Sequence, residues 1–300
     1  MRAEAELRRV GPAVVRITAG LLWFVNVDWK VPPDFGRAAG RGLARFVQLG
    51  IDHPVLPPYS WFLEHVVLPN LTAFGWLTLL IESSLAALLI SGAFTRLAAI
   101  GGAAQSAAIA LTVMNAPGEW YWSYLLMMAV HLAVFAIAAG GVWGVDAIRA
   151  KAGRVASARE AEPGRMTQGL EVSVRRGKKA VAAALVAYGA ILIVLQRDQP
   201  LLTAAYPDSG YALFHGTVAL GLVLVGLGAV VGVTGGRPSS RVAAGGFLLV
   251  AVAAFVTYRS PVNIFSATPS TAAILAGAAV FLVASGYPLR DPARASSGPA

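Results

Sequence analysis

Apolar residues gather into eight long blocks, at about residues 10–28, 70–91, 95–115, 121–143, 179–196, 212–234, 242–258 and 270–288. A helix of about 20 mostly apolar residues crosses the hydrocarbon core of a bilayer. No block alternates polar and apolar residues with a period of two, which sets aside a membrane barrel. Asp, Pro and Gly punctuate most of the gaps. The pattern predicts an all-α integral membrane protein with about eight transmembrane helices in two four-helix halves. Residues 1–148 form the first bundle, 149–178 a basic cytosolic linker, 179–290 a second four-helix bundle and 291–300 a disordered tail. The first block reads as a retained helix, because Arg16 interrupts it and no small-residue cleavage pattern follows.

The connection between the first two blocks is too long for a turn. Arg37, Arg41 and Arg45 recur every four residues and share a face if helical. Leu43, Phe46 and Val47 lie largely elsewhere. This predicts a surface helix near 37–50 with its apolar side down. Its arginine stripe is either the wet face of that helix or an attractor for small anions. The stretch 54–68 is expected to dip back toward the bundle.

Composition sharpens the class. Only 13% of residues are charged and mean hydropathy is +0.65, against roughly 25% charged in a soluble domain. Lipid is therefore the expected partner over much of the surface. A net charge of +9 would suggest nucleic acid in a soluble chain. Here the basic residues fall between apolar blocks, so nucleic acid is not expected and orientation is the better explanation. Arg2, Arg8 and Arg9, then Arg96, the Arg149–Lys179 cluster, Arg237 and Arg241 all fall on one side if the helices alternate. That side, with both termini, reads as cytoplasmic, and the chain as a multi-pass protein of the plasma membrane. There is no cysteine, which excludes a disulfide, a thiol nucleophile or a thiolate metal site within the chain.

Ionisable groups inside membrane helices are costly and mark functional candidates. The first half has several and the second half almost none. At about 1.5 Å rise per residue, Arg16 lies about 9 Å in, Glu82 roughly 14 Å, Gln105 about 15 Å and His131 about 18 Å. This predicts one inward-facing polar layer contributed by four helices. Gly75, Thr78 and Ala86 share the face of Glu82; Ala98, Gly101, Ala108 and Thr112 share that of Gln105. Such small residues mark close helix packing. Arg16, Gly20, Trp23, Val27 and Lys30 fall on one stripe. Two readings of Arg16 and Glu82 stay open: a structural ion pair that fixes helix order, or a working site. His131 reads more simply as a packing residue than as a ligand. Haem would need a second histidine at matching depth, and His215, His53 and His65 lie toward the other side. No metal site is expected. The aromatics Trp23, Phe24, Trp29, Trp61, Trp76, Trp120 and Trp122 collect toward the outer ends, as an interfacial belt or as walls for a flat ring edged by Asn26 and Lys30.

These residues carry a family resemblance. Arg16, Gly20-Leu21 and Trp29-Lys30, then Glu82, Leu88-Leu89 and Gly92-Ala93-Phe94-Thr95-Arg96-Leu97, resemble the DoxX/DoxD family. So does the glycine-rich end Gly140-Gly141-Val142-Trp143-Gly144-Val145-Asp146. WKVPPDFG is most similar to the DoxD-like branch, the small subunit of thiosulfate:quinone oxidoreductase. The resemblance covers about residues 10–148 and leaves 179–288 unmatched. It implies an oxidoreductase subunit that links quinone to a small anionic sulfur compound or thiol. In that reading Glu82, His131, Arg16 and Gln105 are catalytic, with Glu82, Gln105 and His131 handling the proton. Lys30, Asn26, Asp28, Trp23 and Trp29 bind substrate. No cofactor is covalently bound, quinone is the electron acceptor, and a soluble redox protein or second subunit is the protein partner. Two other classes stay open: a non-catalytic scaffold for a soluble redox partner, and a transporter of a small solute or protons.

Overall fold

The structure is a computed structural model that describes residues 2–27, 29–30, 32–157, 165–201, 216–234, 237–256 and 269–285. Its regular elements among these are helical. The first part of the chain supplies α1 (Arg2–Asn26), α2 (Gly42–Asp52), α3 (Pro57–Phe62), α4 (Leu71–Ser91), α5 (Thr95–Val113), α6 (Tyr121–Ala136) and α7 (Val145–Ser157). The second part supplies α8 (Arg165–Leu195), α9 (Val218–Thr234), α10 (Arg237–Val256) and α11 (Pro269–Ser285). A π-helical stretch, Leu63–Val67, follows α3, and a 3-10 turn, Ala139–Gly141, follows α6.

Each predicted apolar block coincides with an apolar helix. Leu71–Ser91, Thr95–Val113 and Val174–Leu195 are long and apolar enough to cross a membrane, by length and composition. Val10–Asn26, Tyr121–Ala136, Val218–Gly232, Val242–Val256 and Thr271–Val283 are shorter apolar helices. The basic stretch 149–178 is helical at both ends, since α7 runs to Ser157 and α8 starts at Arg165. The predicted tail 291–300 and Asp28 lie outside the described residues.

Helices α1, α4, α5 and α6 pack around one another. Their inner core holds Ala19, Trp23, Phe24, Leu85, Leu89, Ala98 and Val134. Helix α4 ends in a tight reversal. Gly92 takes φ +65°, its N–H donates to Leu89 O at 3.3 Å, and Ala93 N–H donates to Leu88 O at 3.0 Å. This is the paired-bond stop that satisfies the last helical carbonyls, and it asks for glycine at the left-handed position.

Helix α1 does not run the whole length of α4. The two are antiparallel, and a Cβ on Gly20 would stand 2.8 Å from Ile90 Cγ1. With that register, Asn26 comes level with Glu82, midway along α4. The outer half of α4 is faced by non-helical chain instead. Phe35 packs into the space left by Gly75, where a Cβ would be 2.4 Å from its ring. Irregular backbone at membrane depth is tolerated only where protein covers it. Here Val27 and Phe35 join Ala44, Val47, Leu63, Val67, Leu71 and Leu79 in a second, outer core.

The surface helix starts later than the sequence pattern suggests. It runs Gly42–Asp52, and residues 33–40 form turns. Gly36 takes φ +85°, and a Cβ there would be 2.0 Å from Arg41 O. That turn breaks the expected arginine stripe. The Arg37 guanidinium donates to Leu68 O, and only Arg45 sits on α2. The 54–68 stretch lies against α5, where Tyr59 Oη donates to Ala108 O at 3.3 Å.

In the second part, α8 packs on α9 and α10 on α11 around a largely apolar core that includes Leu192, Leu220, Leu224, Phe247 and Leu282. Helix α11 also lies on α4, with Gly277 against the Ala87 backbone. Ala273 of α11 thereby enters the inner core of the first part.

Candidate functional site

Where α1 stops, its last carbonyls need donors, and the following turn supplies them. Val27 N–H donates to Trp23 O at 3.2 Å and Lys30 N–H to Val27 O at 3.4 Å. The Lys30 ammonium folds back to Asn26 O at 2.8 Å. A cation at the C-terminus of a helix is favoured by the helix dipole. The same ammonium meets Glu82 Oε2 at 2.6 Å, with Lys30 2% and Glu82 0% exposed. It also sits 4.1 Å from the centre of the Trp29 ring, a cation–π contact. All three ammonium protons thus have a destination.

Glu82 is equally well served. Asn26 Nδ2 donates to Oε2 at 3.2 Å and Gln105 Nε2 to Oε1 at 3.3 Å. Trp29 Nε1 donates to Asn26 Oδ1 at 3.1 Å, which fixes the amide orientation. Trp29 packs edge-on against Phe46 of α2, with ring centres 5.0 Å apart. A carboxylate and an ammonium in direct contact inside apolar surroundings form a pair that one proton transfer makes neutral. Half-buried Asn26 and Gln105 connect it to the surface.

The sequence pattern expects Arg16, Glu82, Gln105 and His131 in one layer. Glu82 and Gln105 do meet. Arg16 does not pair with Glu82. Helix α1 begins at Arg2, earlier than the apolar block, and its register puts Arg16 beside Gly92. Gly92 is ten residues from Glu82, or about 15 Å along the helix. The Arg16 guanidinium donates to Ala139 O and Val142 O at 2.9 Å and to Trp143 O at 2.7 Å. Cβ atoms on Gly92 or Gly144 would stand 2.6 Å and 2.8 Å from its Nη1. The glycines make room for the guanidinium.

His131 is held one level inward of the pair. Trp23 Nε1 donates to His131 Nε2 at 2.8 Å. An indole N–H only donates, so Nε2 is the bare nitrogen. His131 Nδ1 therefore carries the hydrogen and donates to Met127 O at 2.7 Å. This is neutral imidazole in a fixed tautomer with both nitrogens engaged. Gly102 leaves its space, since a Cβ there would be 2.1 Å from His131 Cδ2. Of the expected substrate-binding set, Asn26, Trp29 and Lys30 join Glu82, Trp23 joins His131, and Asp28 lies outside the described residues.

Asp146 has a defined part that composition and spacing did not announce. Its carboxylate accepts from Phe94 N–H at 3.0 Å and Thr95 N–H at 2.8 Å, which caps α5. Its own N–H donates to Gly92 O at 2.9 Å. The signal was present in the glycine-rich turn from Gly140 that ends on an acid. At the outer end, Asp34 accepts from Gly36 N–H and Ala38 N–H, both at 3.2 Å. Those two bonds hold its carboxyl below the usual aspartate range.

A family model described as TQO small subunit DoxD matches residues 7–161. The match covers just over half of the chain, and the chain belongs to this family. No curated protein and no solved structure matches it. The match takes in every residue of the Lys30–Glu82 network, the Arg16 clamp and α7, and leaves α8–α11 outside. Family and apolar helices together assign the chain to a membrane.

Proposed function

We propose that this DoxD-family chain is the membrane subunit of a quinone-linked oxidoreductase that oxidises a small anionic sulfur compound of the thiosulfate type. The observation that carries the reading is the buried Lys30–Glu82 pair with its amide partners. Reducing a quinone to its quinol takes two electrons and two protons. The electrons come from the sulfur compound. The protons must reach a ring that stays in an apolar phase. Glu82 is the proton-exchanging carboxylate, and Lys30 holds it charged between turnovers. Asn26 and Gln105 offer N–H groups to a ring carbonyl when they turn from Glu82. Trp29 supplies a flat apolar wall. A sulfur-oxidising second subunit or soluble redox protein is the expected partner.

In this reading all eight apolar helices cross the plasma membrane. The arginine-rich stretch and both termini are cytoplasmic, in keeping with the distribution of Lys and Arg. The outer loop and α2 then cover the pair from the opposite side.

The test is reduction of a soluble quinone analogue in membranes containing the protein and its partner. Thiosulfate should drive reduction with wild type and not with Glu82→Gln of equal abundance. Wild-type membranes without thiosulfate- or thiol-dependent reduction would remove the reading.

A further inference from the structure

At the inner end of the first bundle, two turns are locked into one platform. Asp146 bridges them by accepting from Phe94 N–H and Thr95 N–H, while its own N–H holds Gly92 O. Arg16 ties the same place together through Val142 O and Trp143 O. On this platform Phe94 and Trp143 each take φ +48°. Aromatic residues rarely occupy the left-handed region, and backbone held there is a pointer to function. Both rings are turned outward: Phe94 is 53% exposed and Trp143 64%. Leu97 beside them is 68% exposed.

Two guanidinium groups lie over aromatic rings here, one of them on Phe94. Arg149 places its Cζ 5.0 Å from the Phe94 ring centre, and Arg96 lies 5.6 Å from that of Phe135. Both arginines are exposed. Neither forms an ion pair with a described carboxylate. Outward apolar rings with flanking cations on a rigid base match one ligand chemistry: acyl chains joined to a negatively charged phosphate. A soluble anion would leave Phe94, Leu97 and Trp143 without purpose. A zwitterionic lipid would leave the guanidinium charge unbalanced.

The geometry points to a site for an anionic phospholipid at this rim, formed by Phe94, Arg96, Trp143 and Arg149, with the phosphate on the arginines and the chains on the rings. It does not depend on the quinone reading.

Native mass spectrometry of the purified full chain, offered equal amounts of phosphatidylglycerol and phosphatidylcholine, tests it. Wild type should retain phosphatidylglycerol preferentially. R96Q/R149Q should weaken that preference by about twenty-fivefold, since each basic group near an anionic headgroup contributes roughly fivefold. R45Q, on α2 at the other end, should leave it unchanged. R96K/R149K keeps the charge and should keep most of the preference, which covers the case of a poorly folded glutamine variant. F94G relieves the left-handed backbone, so it should keep or raise the thermal midpoint while lowering lipid retention; a purely structural Phe94 would lower the midpoint instead. Equal retention of the two lipids, or retention unaffected by R96Q/R149Q, overturns the proposal. Displacement of the lipid by millimolar inorganic phosphate also overturns it, because the site would then be one for a free anion.

Discussion

Arg16 and Lys30 are both buried cations of the first bundle, and they are held in opposite ways. Arg16 is spread over three backbone carbonyls and, among the described residues, forms no ion pair with a carboxylate. Lys30 donates to a carboxylate at 2.6 Å. A guanidinium keeps its proton under any cellular condition and presents a planar fork. It suits a permanent clamp between the end of α4 and the turn after α6. An ammonium beside a carboxylate can pass a proton and leave two neutral groups. One cation organises backbone, and the other is placed for chemistry.

The largest expected effect falls on the pair. Removing one partner of a buried ion pair costs about 3–5 kcal/mol, because the other is left charged and alone. Glu82→Gln and Lys30→Met should each lower the thermal midpoint sharply and abolish quinone reduction. The double variant K30M/E82L replaces the pair by apolar groups and should recover most of the stability, with reduction still absent. If the double variant reduces quinone, the pair is a structural device like Arg16 and the contrast collapses.

Arg16→Leu should separate the two cations from the other direction. It leaves Ala139 O, Val142 O and Trp143 O without their donor, at about 1–3 kcal/mol for the buried Ala139 O and less for the other two, which are only part-buried. Thermal stability should fall by several degrees or more. Quinone turnover per folded molecule should stay near wild type, which steady-state assays normalised to folded protein would check. A selective loss of turnover would put Arg16 in the chemistry.

How much of this was legible beforehand differs between helices and side chains. The apolar blocks announced the helices, since length and hydropathy are local properties. Glu82 and Gln105 were legible as inward neighbours because small residues share their faces. The break in α1 was not. Trp29-Lys30 followed by Pro32-Pro33 reads equally as a helix reaching water, and only the register against Gly20 and Ile90 shows that it ends at mid-depth. Starting α1 at its first apolar residue misplaced Arg16 and hid the Lys30 partner. The Trp23–His131 bond joins residues 108 apart in sequence, and no spacing rule relates them.

Gly102→Ala offers a graded test of the His131 level. The new methyl would stand 2.1 Å from His131 Cδ2, while the neighbouring Gly101→Ala meets only Leu85 Cδ2 at 3.4 Å. Overpacking of this kind costs typically 1–3 kcal/mol. G102A should therefore lower the midpoint and G101A should not, as differential scanning fluorimetry would show. Equal behaviour would mean that the imidazole moves freely and that its tautomer is not fixed by Trp23.

The smallest effect concerns Asp34, at the outer end of the irregular crossing. Its carboxylate accepts two backbone N–H bonds in the folded turn, so its folded pKa lies below the unfolded value of about 3.9. Between those two values the unfolded chain binds more protons, and stability rises with pH there. The contribution is complete above the unfolded pKa and disappears as pH falls through the folded one. The midpoint difference between wild type and D34N should accordingly be constant near neutrality and shrink only below about pH 4. Other carboxylates titrate in the same range, but they are common to both proteins and cancel in the difference. A difference that instead changes between pH 6 and 8 would assign the turn's stability to another titrating group. The outer half of the crossing would then need an anchor other than this loop.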